Sequence, residues 1–267
     1  DRYDALTVDQ FGVLHDGTAP YPGVVEALRH VAELGLPIVM LTNSGKPAAA
    51  SLKRLRRLGI PPDYVDKVVS SGDVARGAVA AGLLGAPFAP GAAVYVVGRE
   101  GDDYGLDDLG FTFTDTPEAA DFLFILGSNA PDTTLDDYEH ALAAAARAGV
   151  PALCANPDVT LILPHGLYWA AGAIAARYAR LGAPVTYIGK PYGRIFRAAL
   201  DLLPGVSPAR VGHVGDSVEH DVRGGRGAGL STILVRTGID AAKSEAEMAA
   251  LFTDVARPDV VLPSFRW

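Results

Sequence analysis

Ala5-Leu6-Thr7-Val8-Asp9-Gln10-Phe11-Gly12-Val13-Leu14 opens the first apolar run of the chain and interrupts it with a carboxylate. Ala5–Asp9 reads as a short strand that ends on its acid, with Gly12 placed to turn the chain away. The same punctuation recurs three times. Val39-Met40-Leu41 runs into Thr42-Asn43-Ser44, Tyr187-Ile188 into Gly189-Lys190, and His213-Val214 into Gly215-Asp216. Strands of a parallel sheet, buried on both faces, are near-continuous apolar runs, and ligands of open α/β sheets bind at their carboxyl ends. Such ends bring a carboxylate, a hydroxyl and amide cluster, an ammonium and a second carboxylate to one crevice.

Outward from these ends, strands are expected at Ala5–Asp9, Pro37–Leu41, Tyr64–Ser70, Val94–Val97, Asp121–Leu126, Val150–Cys154, Val185–Ile188, Arg210–Val214 and Thr232–Val235. Between them, Val24, Leu28, Val31 and Leu34 recur at a helical period, with Pro22 placed for the start and Gly35 for the end. Lys46–Leu58 and Pro191–Leu203 read the same way. Strands alternating with helices give βαβ units, so the fold class is α/β with a Rossmann-like parallel sheet. The longest uncharged stretch, Gly77–Gly98, contains Pro87, Pro90 and several glycines, and reads as helix, turn and strand rather than a membrane span.

Composition narrows the partners. A chain of 267 residues fits one large domain or two unequal ones. With 49% hydrophobic and 20% charged residues it can bury a sizeable core and is not disordered as a whole. Lys plus Arg number 23 against 31 Asp plus Glu, a net charge of −8. That balance argues against nucleic acid and against an anionic membrane surface. Cys154 stands alone, which excludes an internal disulfide and fits a reducing compartment. The first residues lack the basic-then-apolar layout of a signal peptide, so a cytoplasmic location is expected.

Two carboxylates on neighbouring strand ends repel unless a cation sits between them. An oxygen-only set without convergent His or Cys suits a hard ion, Mg²⁺ above all. Thr42, Asn43 and Ser44 offer hydroxyls, an amide and backbone N–H groups where a helix begins, a place for a phosphate. Lys190 adds a point charge that balances both. Asp9, ionised beside them, is then available as a nucleophile.

These motifs in this order resemble the haloacid dehalogenase superfamily: Asp9-Gln10-Phe11-Gly12-Val13-Leu14, then Leu41-Thr42-Asn43-Ser44, then Gly189-Lys190-Pro191, then Gly215-Asp216-Ser217-Val218-Glu219-His220-Asp221. A long insert before the third motif carries its own αβ pattern and Asn156-Pro157-Asp158. That looks like the class IIA branch with a C2-type cap, which includes 4-nitrophenyl phosphatase-like, nucleotide, phosphoglycolate and pyridoxal phosphate phosphatases. The resemblance implies a core over residues 1–86 and 185–267 interrupted by an αβ cap over 87–184. It implies Mg²⁺-dependent hydrolysis of a small phosphorylated metabolite through an aspartyl-phosphate on Asp9. Thr42, Asn43, Ser44 and Lys190 would then bind the phosphoryl group. Asp9, Asp216, the carbonyl of Phe11 and, in support, Asp221 would hold the metal, and Asn156 and Asp158 would reach the substrate from the cap. Caps of this class often pair, which leaves a homodimer open.

Phe11 departs from the pattern. Phosphatases of the family usually carry a second Asp there, as general acid and base, and a phenyl ring moves no proton. Another substitution chemistry needing no acid, or a feeble enzyme that mainly binds a phosphorylated metabolite, therefore stays in play. Plainer roles stand beside the chemical ones. Asp9 and Thr42-Asn43-Ser44 can cap helices, Lys190 can be a solvated lysine, and Asp221 can sit in a helix's first turn. His15 and Asp16 read as turn residues before Gly17, or as replacements for the missing acid. Asn156 can form an Asx turn around Pro157. Cys154 reads as a small buried hydrophobe. Residues 224–229 are glycine-rich but lack dinucleotide-binding spacing.

Overall fold

A computed structural model describes residues 2–163 and 166–267. Its strands are β1 (Ala5–Asp9), β2 (Ile38–Thr42), β3 (Lys67–Ser70), β4 (Ala93–Val97), β5 (Thr112–Phe113), β6 (Phe122–Ile125), β7 (Ala152–Cys154), β8 (Thr160–Leu163), β9 (Gly166–Trp169), β10 (Val185–Tyr187), β11 (Val211–Gly215), β12 (Ser231–Val235) and β13 (Val260–Leu262). The helices are α1 (Val24–Glu33), α2 (Ala48–Arg57), α3 (Ser71–Ala80), α4 (Leu135–Arg147), α5 (Ala171–Arg180), α6 (Gly193–Leu200), α7 (Arg223–Gly227) and α8 (Glu245–Leu251). No helix among the described residues is long and apolar enough to cross a membrane.

The chain divides into two compact units. One comprises the residues up to Thr42, then Ala49–Val69 and Lys190–Trp267; the other comprises Asn43–Ala48 and Ser70–Gly189. The inserted unit is thus larger than the expected 87–184, taking in α3 and β10 whole. The reason is packing: Ala75, Ala78 and Val79 of α3 are buried in one cluster with Phe88, Phe122, Phe124 and Leu153.

The first unit is built on the sheet β13-β12-β11-β1-β2-β3. Strand β1 pairs in parallel with β2 on one side and β11 on the other. The chain therefore leaves β1 in one direction and returns on its opposite flank, a topological switch point where ligands bind beyond the carboxyl ends. All five residues of β1, β2 and β11 are buried, as parallel strands covered on both faces require. Helix α1 packs through Val24, Ala27, Leu28 and Val31, the i, i+3, i+4, i+7 stripe expected of a surface helix. Their cluster includes Val8, Met40 and Leu55.

The second unit carries its own parallel sheet, β10-β7-β6-β4-β5, and an antiparallel hairpin, β8-β9. Helix α4 opens with a capping box between Thr134 and Asp137. The sequence reading missed β5, β13 and the hairpin, which are short or edge elements with little period to detect. Tyr64–Ser70 is strand only from Lys67; Pro62–Tyr64 forms a single 3₁₀ turn because Pro62 suits a helix start and donates nothing to a ladder.

Candidate active site

The ends of β1 and β11 sit side by side in register, with Val8 opposite Val214. That places Asp9 and Asp216, the residues at and just beyond those ends, at the switch point. Asp9 Oδ1 accepts the Gln10 N–H at 2.7 Å and lies 2.7 Å from Lys190 Nζ. The Lys190 ammonium also donates to Asp221 Oδ1 at 2.6 Å, and the lysine is 2% exposed, so it is no solvated side chain. Asp221 rides on a single π-turn, Val218–Val222, whose start is capped by Ser217; such turns concentrate at functional sites. The Ser217 N–H donates to Asp221 Oδ2 at 3.1 Å. Asp216 Oδ2 accepts the Ile239 N–H at 2.7 Å. Gly12 and Gly238 close over this carboxylate, both at positive φ, and a Cβ on either would overlap it.

Three buried carboxylates face one ammonium here. Burial works against the charge of Lys190, but Asp221 and Asp9 overcome it and hold the ammonium protonated far above neutral pH. Burial likewise works against Asp221, yet Lys190 and the His213 hydrogen bond hold its carboxyl well below the usual range. Asp216 goes the other way: burial first, then Asp9 and Asp221, push its carboxyl well above that range. At Asp216, burial and the two neighbouring carboxylates thus outweigh the Lys190 ammonium. Oxygens of Asp9, Asp216 and Asp221 all lie within 4.8 Å of one another. An oxygen-only cluster with three carboxylates to one ammonium fits a hard divalent cation.

Thr42 is buried at the end of β2, one residue beyond Leu41, the register partner of Asp9. The boundary between the compact units falls directly after it, so Asn43 and Ser44 belong with the insert. There the Asn43 Nδ2 donates to Asp158 Oδ1 at 2.8 Å, and its Oδ1 accepts from Ser71 Oγ at 3.3 Å. Ser44 Oγ accepts the Lys46 N–H at 3.2 Å. Asn156 forms the Asx turn, its Oδ1 accepting the Asp158 N–H at 3.2 Å. Burial pushes the Cys154 thiol up to about 12, which leaves it inert.

The loop after β1 holds Phe11 half-buried, edge-on to the His15 ring at 5.1 Å and against Gly17. His15 is buried; its Nδ1 accepts the Gly17 N–H at 2.9 Å and its Nε2 lies 3.0 Å from the Gln10 amide. Burial lowers it to about 4, so it is neutral at pH 7. Asp16 is a turn residue: its Oδ1 accepts the Thr18 hydroxyl and the N–H groups of Thr18 and Ala19. The Thr18 hydroxyl and those N–H groups lower its pKa, so it stays ionised. Neither residue is a proton donor at neutral pH.

Two buried residues escaped the sequence reading. His213 Nε2 lies 3.1 Å from Asp221 Oδ1, and Thr7 Oγ1 lies 2.8 Å from His213 Nδ1. The available signal was a polar residue inside each of two runs that should be wholly apolar.

A family model described as haloacid dehalogenase-like hydrolase matches residues 6–112, and a second, HAD-hydrolase-like, matches 187–267. The chain is 33% identical over 240 residues to a dihydroxyacetone phosphatase of Corynebacterium glutamicum, covering 86% of this chain and 80% of that one. A haloacid dehalogenase-like hydrolase structure from Brucella suis is 30% identical with a TM-score of 0.85, covering 98% of this chain and 96% of that one. A glycerol phosphate phosphatase from Mycobacterium tuberculosis, solved in complex with magnesium, is 27% identical with a TM-score of 0.76, covering 98% and 76%.

Proposed function

The chain belongs to the haloacid dehalogenase-like hydrolases, as a phosphatase that hydrolyses phosphomonoesters, and on that premise we propose that its reaction is Mg²⁺-dependent and runs through an aspartyl-phosphate on Asp9. The observation that carries this reading is the buried Asp9–Lys190–Asp221 chain beside Asp216, where burial and two carboxylates outweigh the ammonium. Asp9, Asp216 and the Phe11 carbonyl would hold the Mg²⁺, with Asp221 in support, and the ion would neutralise charge on the phosphoryl oxygens.

An Asp9 oxygen attacks phosphorus, the bond to the ester oxygen breaks, and the leaving group departs with that electron pair. Water then attacks the phosphorus of the aspartyl-phosphate, releasing inorganic phosphate and restoring the carboxylate. Lys190 holds Asp9 oriented and offsets the gathering negative charge. Thr42 would donate its hydroxyl to the phosphoryl group, and Asn43 and Ser44 follow it along the chain. Two relatives are named for dihydroxyacetone and glycerol phosphate, and small phosphorylated metabolites of that size are the proposed substrate class.

The test is a panel of three-carbon, sugar and aryl phosphates, run with Mg²⁺, with EDTA, and with Asp9→Asn. Turnover that disappears in EDTA, returns with Mg²⁺ and is lost in a folded Asp9→Asn variant is expected. Full activity in EDTA removes the metal, and wild-type rates in Asp9→Asn remove the mechanism. A second reading, a feeble enzyme that mainly binds a phosphorylated metabolite, is favoured by Phe11 and by the absence of a proton donor in the neighbouring loop. Tight binding by calorimetry with no turnover of any ester would establish it.

A further inference from the structure

We propose that His213, backed by Thr7, is a positioning residue: it fixes the Asp221 carboxylate in the orientation from which that group holds Lys190 against Asp9. Its effect on turnover rests on the reaction proposed above; the relay itself does not. Thr7 and His213 are direct partners in the β1–β11 register, so their side chains stand on the same face of the sheet. From there the contacts run Thr7 Oγ1 to His213 Nδ1 at 2.8 Å, His213 Nε2 to Asp221 Oδ1 at 3.1 Å, Asp221 Oδ1 to Lys190 Nζ at 2.6 Å, and Lys190 Nζ to Asp9 Oδ1 at 2.7 Å.

The proton positions follow. Asp221 already accepts from Lys190 on Oδ1 and from the Ser217 N–H on Oδ2. It is an acceptor throughout, so His213 Nε2 carries the hydrogen. Nδ1 then pairs with the Thr7 hydroxyl at 2.8 Å. The ring has no room to swing, because Phe196 meets it edge-on at 5.2 Å and a Cβ on Gly225 would press on Thr232 and on the ring itself. With the ring absent, one donor on Oδ1 is gone and Asp221 can rotate, drawing Lys190 from Asp9.

Two readouts test this. In metal-free protein labelled with ¹⁵N-histidine, the resonance lost on His213→Gln should show a hydrogen on Nε2. A bare Nε2 overturns the proposal. In kinetics on an aryl phosphate, His213→Leu should lower kcat about 10–100-fold, the usual effect of losing a group that orients a site carboxylate. KM should change by less than about twofold, since no substrate contact is removed. His213→Gln, whose amide nitrogen can take the place of Nε2, should recover most of kcat; equal losses in both variants, or none, overturn the proposal. Should His213→Leu fail to fold, Thr7→Val against Thr7→Ser asks the same question, with the loss expected only for valine. A wild type without turnover defeats the phosphatase reading instead, and the tautomer then decides the relay alone.

Discussion

At Phe11 the backbone and the side chain have separate jobs. The carbonyl is available to a metal whatever the side chain, whereas the phenyl ring contributes packing on His15 and Gly17 in place of a proton. Expelling an alkoxide without a donor is slow, while a nitrophenolate leaves readily, so the wild type should prefer aryl over alkyl phosphates. General acid help is worth about 10²–10⁴-fold. Phe11→Asp should raise the alkyl-to-aryl rate ratio by less than that, because the loop is shaped around a ring. Rates of wild type and variant on one ester of each kind, with Tm as folding control, decide it. A stable variant with an unchanged ratio means that the missing acid does not limit turnover.

The loop from Gln10 to Pro20 is the element that carries both the Phe11 carbonyl proposed as a metal ligand and a buried histidine. Gly12 lies at φ +83° with the Asp216 carboxylate directly over its Cα. Gly12→Ala should cost about 1–2 kcal/mol in left-handed backbone strain and more in displacing Asp216, with activity lost before the fold is. A Gly12→Ala variant with wild-type kcat and Tm would show that this approach is looser than described. His15 gives the loop a pH dependence. Its folded value of about 4 lies below the ordinary histidine value of about 6.5. The unfolded chain therefore binds more protons between those limits, and stability present above pH 6.5 is lost as pH falls towards 4. His15→Gln should flatten that part of a Tm-against-pH curve. Parallel curves for wild type and variant would mean that His15 titrates normally.

Over the whole chain, the net charge of −8 includes three carboxylates that are buried together at the site. Asp216 has the opposite linkage to His15. Its folded value is raised, so stability present at low pH is lost as pH rises from the ordinary carboxylate range through that raised value. In EDTA, Tm should fall over that window. Saturating Mg²⁺ should remove the fall and stabilise the protein by about 2.7 kcal/mol at a hundredfold excess over Kd. Asp216→Asn should abolish both effects. A Tm indifferent to Mg²⁺ at every pH would place the metal elsewhere or nowhere.

The order of four apolar runs, each broken by a polar residue at its end, was enough to read a parallel α/β sheet and to single out Asp9, Lys190 and Asp216, which the structure brings together. Strand burial and strand-end chemistry are local properties, written in consecutive residues. The boundaries of the insert were not legible in the same way. Residues 70–86 and 185–189 look like any other helix and strand, and only the burial of Ala75, Ala78, Val79 and Ile188 with Phe122, Phe124 and Leu153, and the pairing of β10 with β7, join them to the second unit. Nor was the division between Thr42 and Asn43, adjacent in one motif yet held by different units, since Asn43 bonds Ser71 and Asp158, 28 and 115 positions away. The charge imbalance at Asp216, the neutrality of His15 and the Thr7–His213–Asp221 relay belong to the tertiary structure for the same reason. Each is set by distances between groups far apart in the chain, and by burial that removes water from around them.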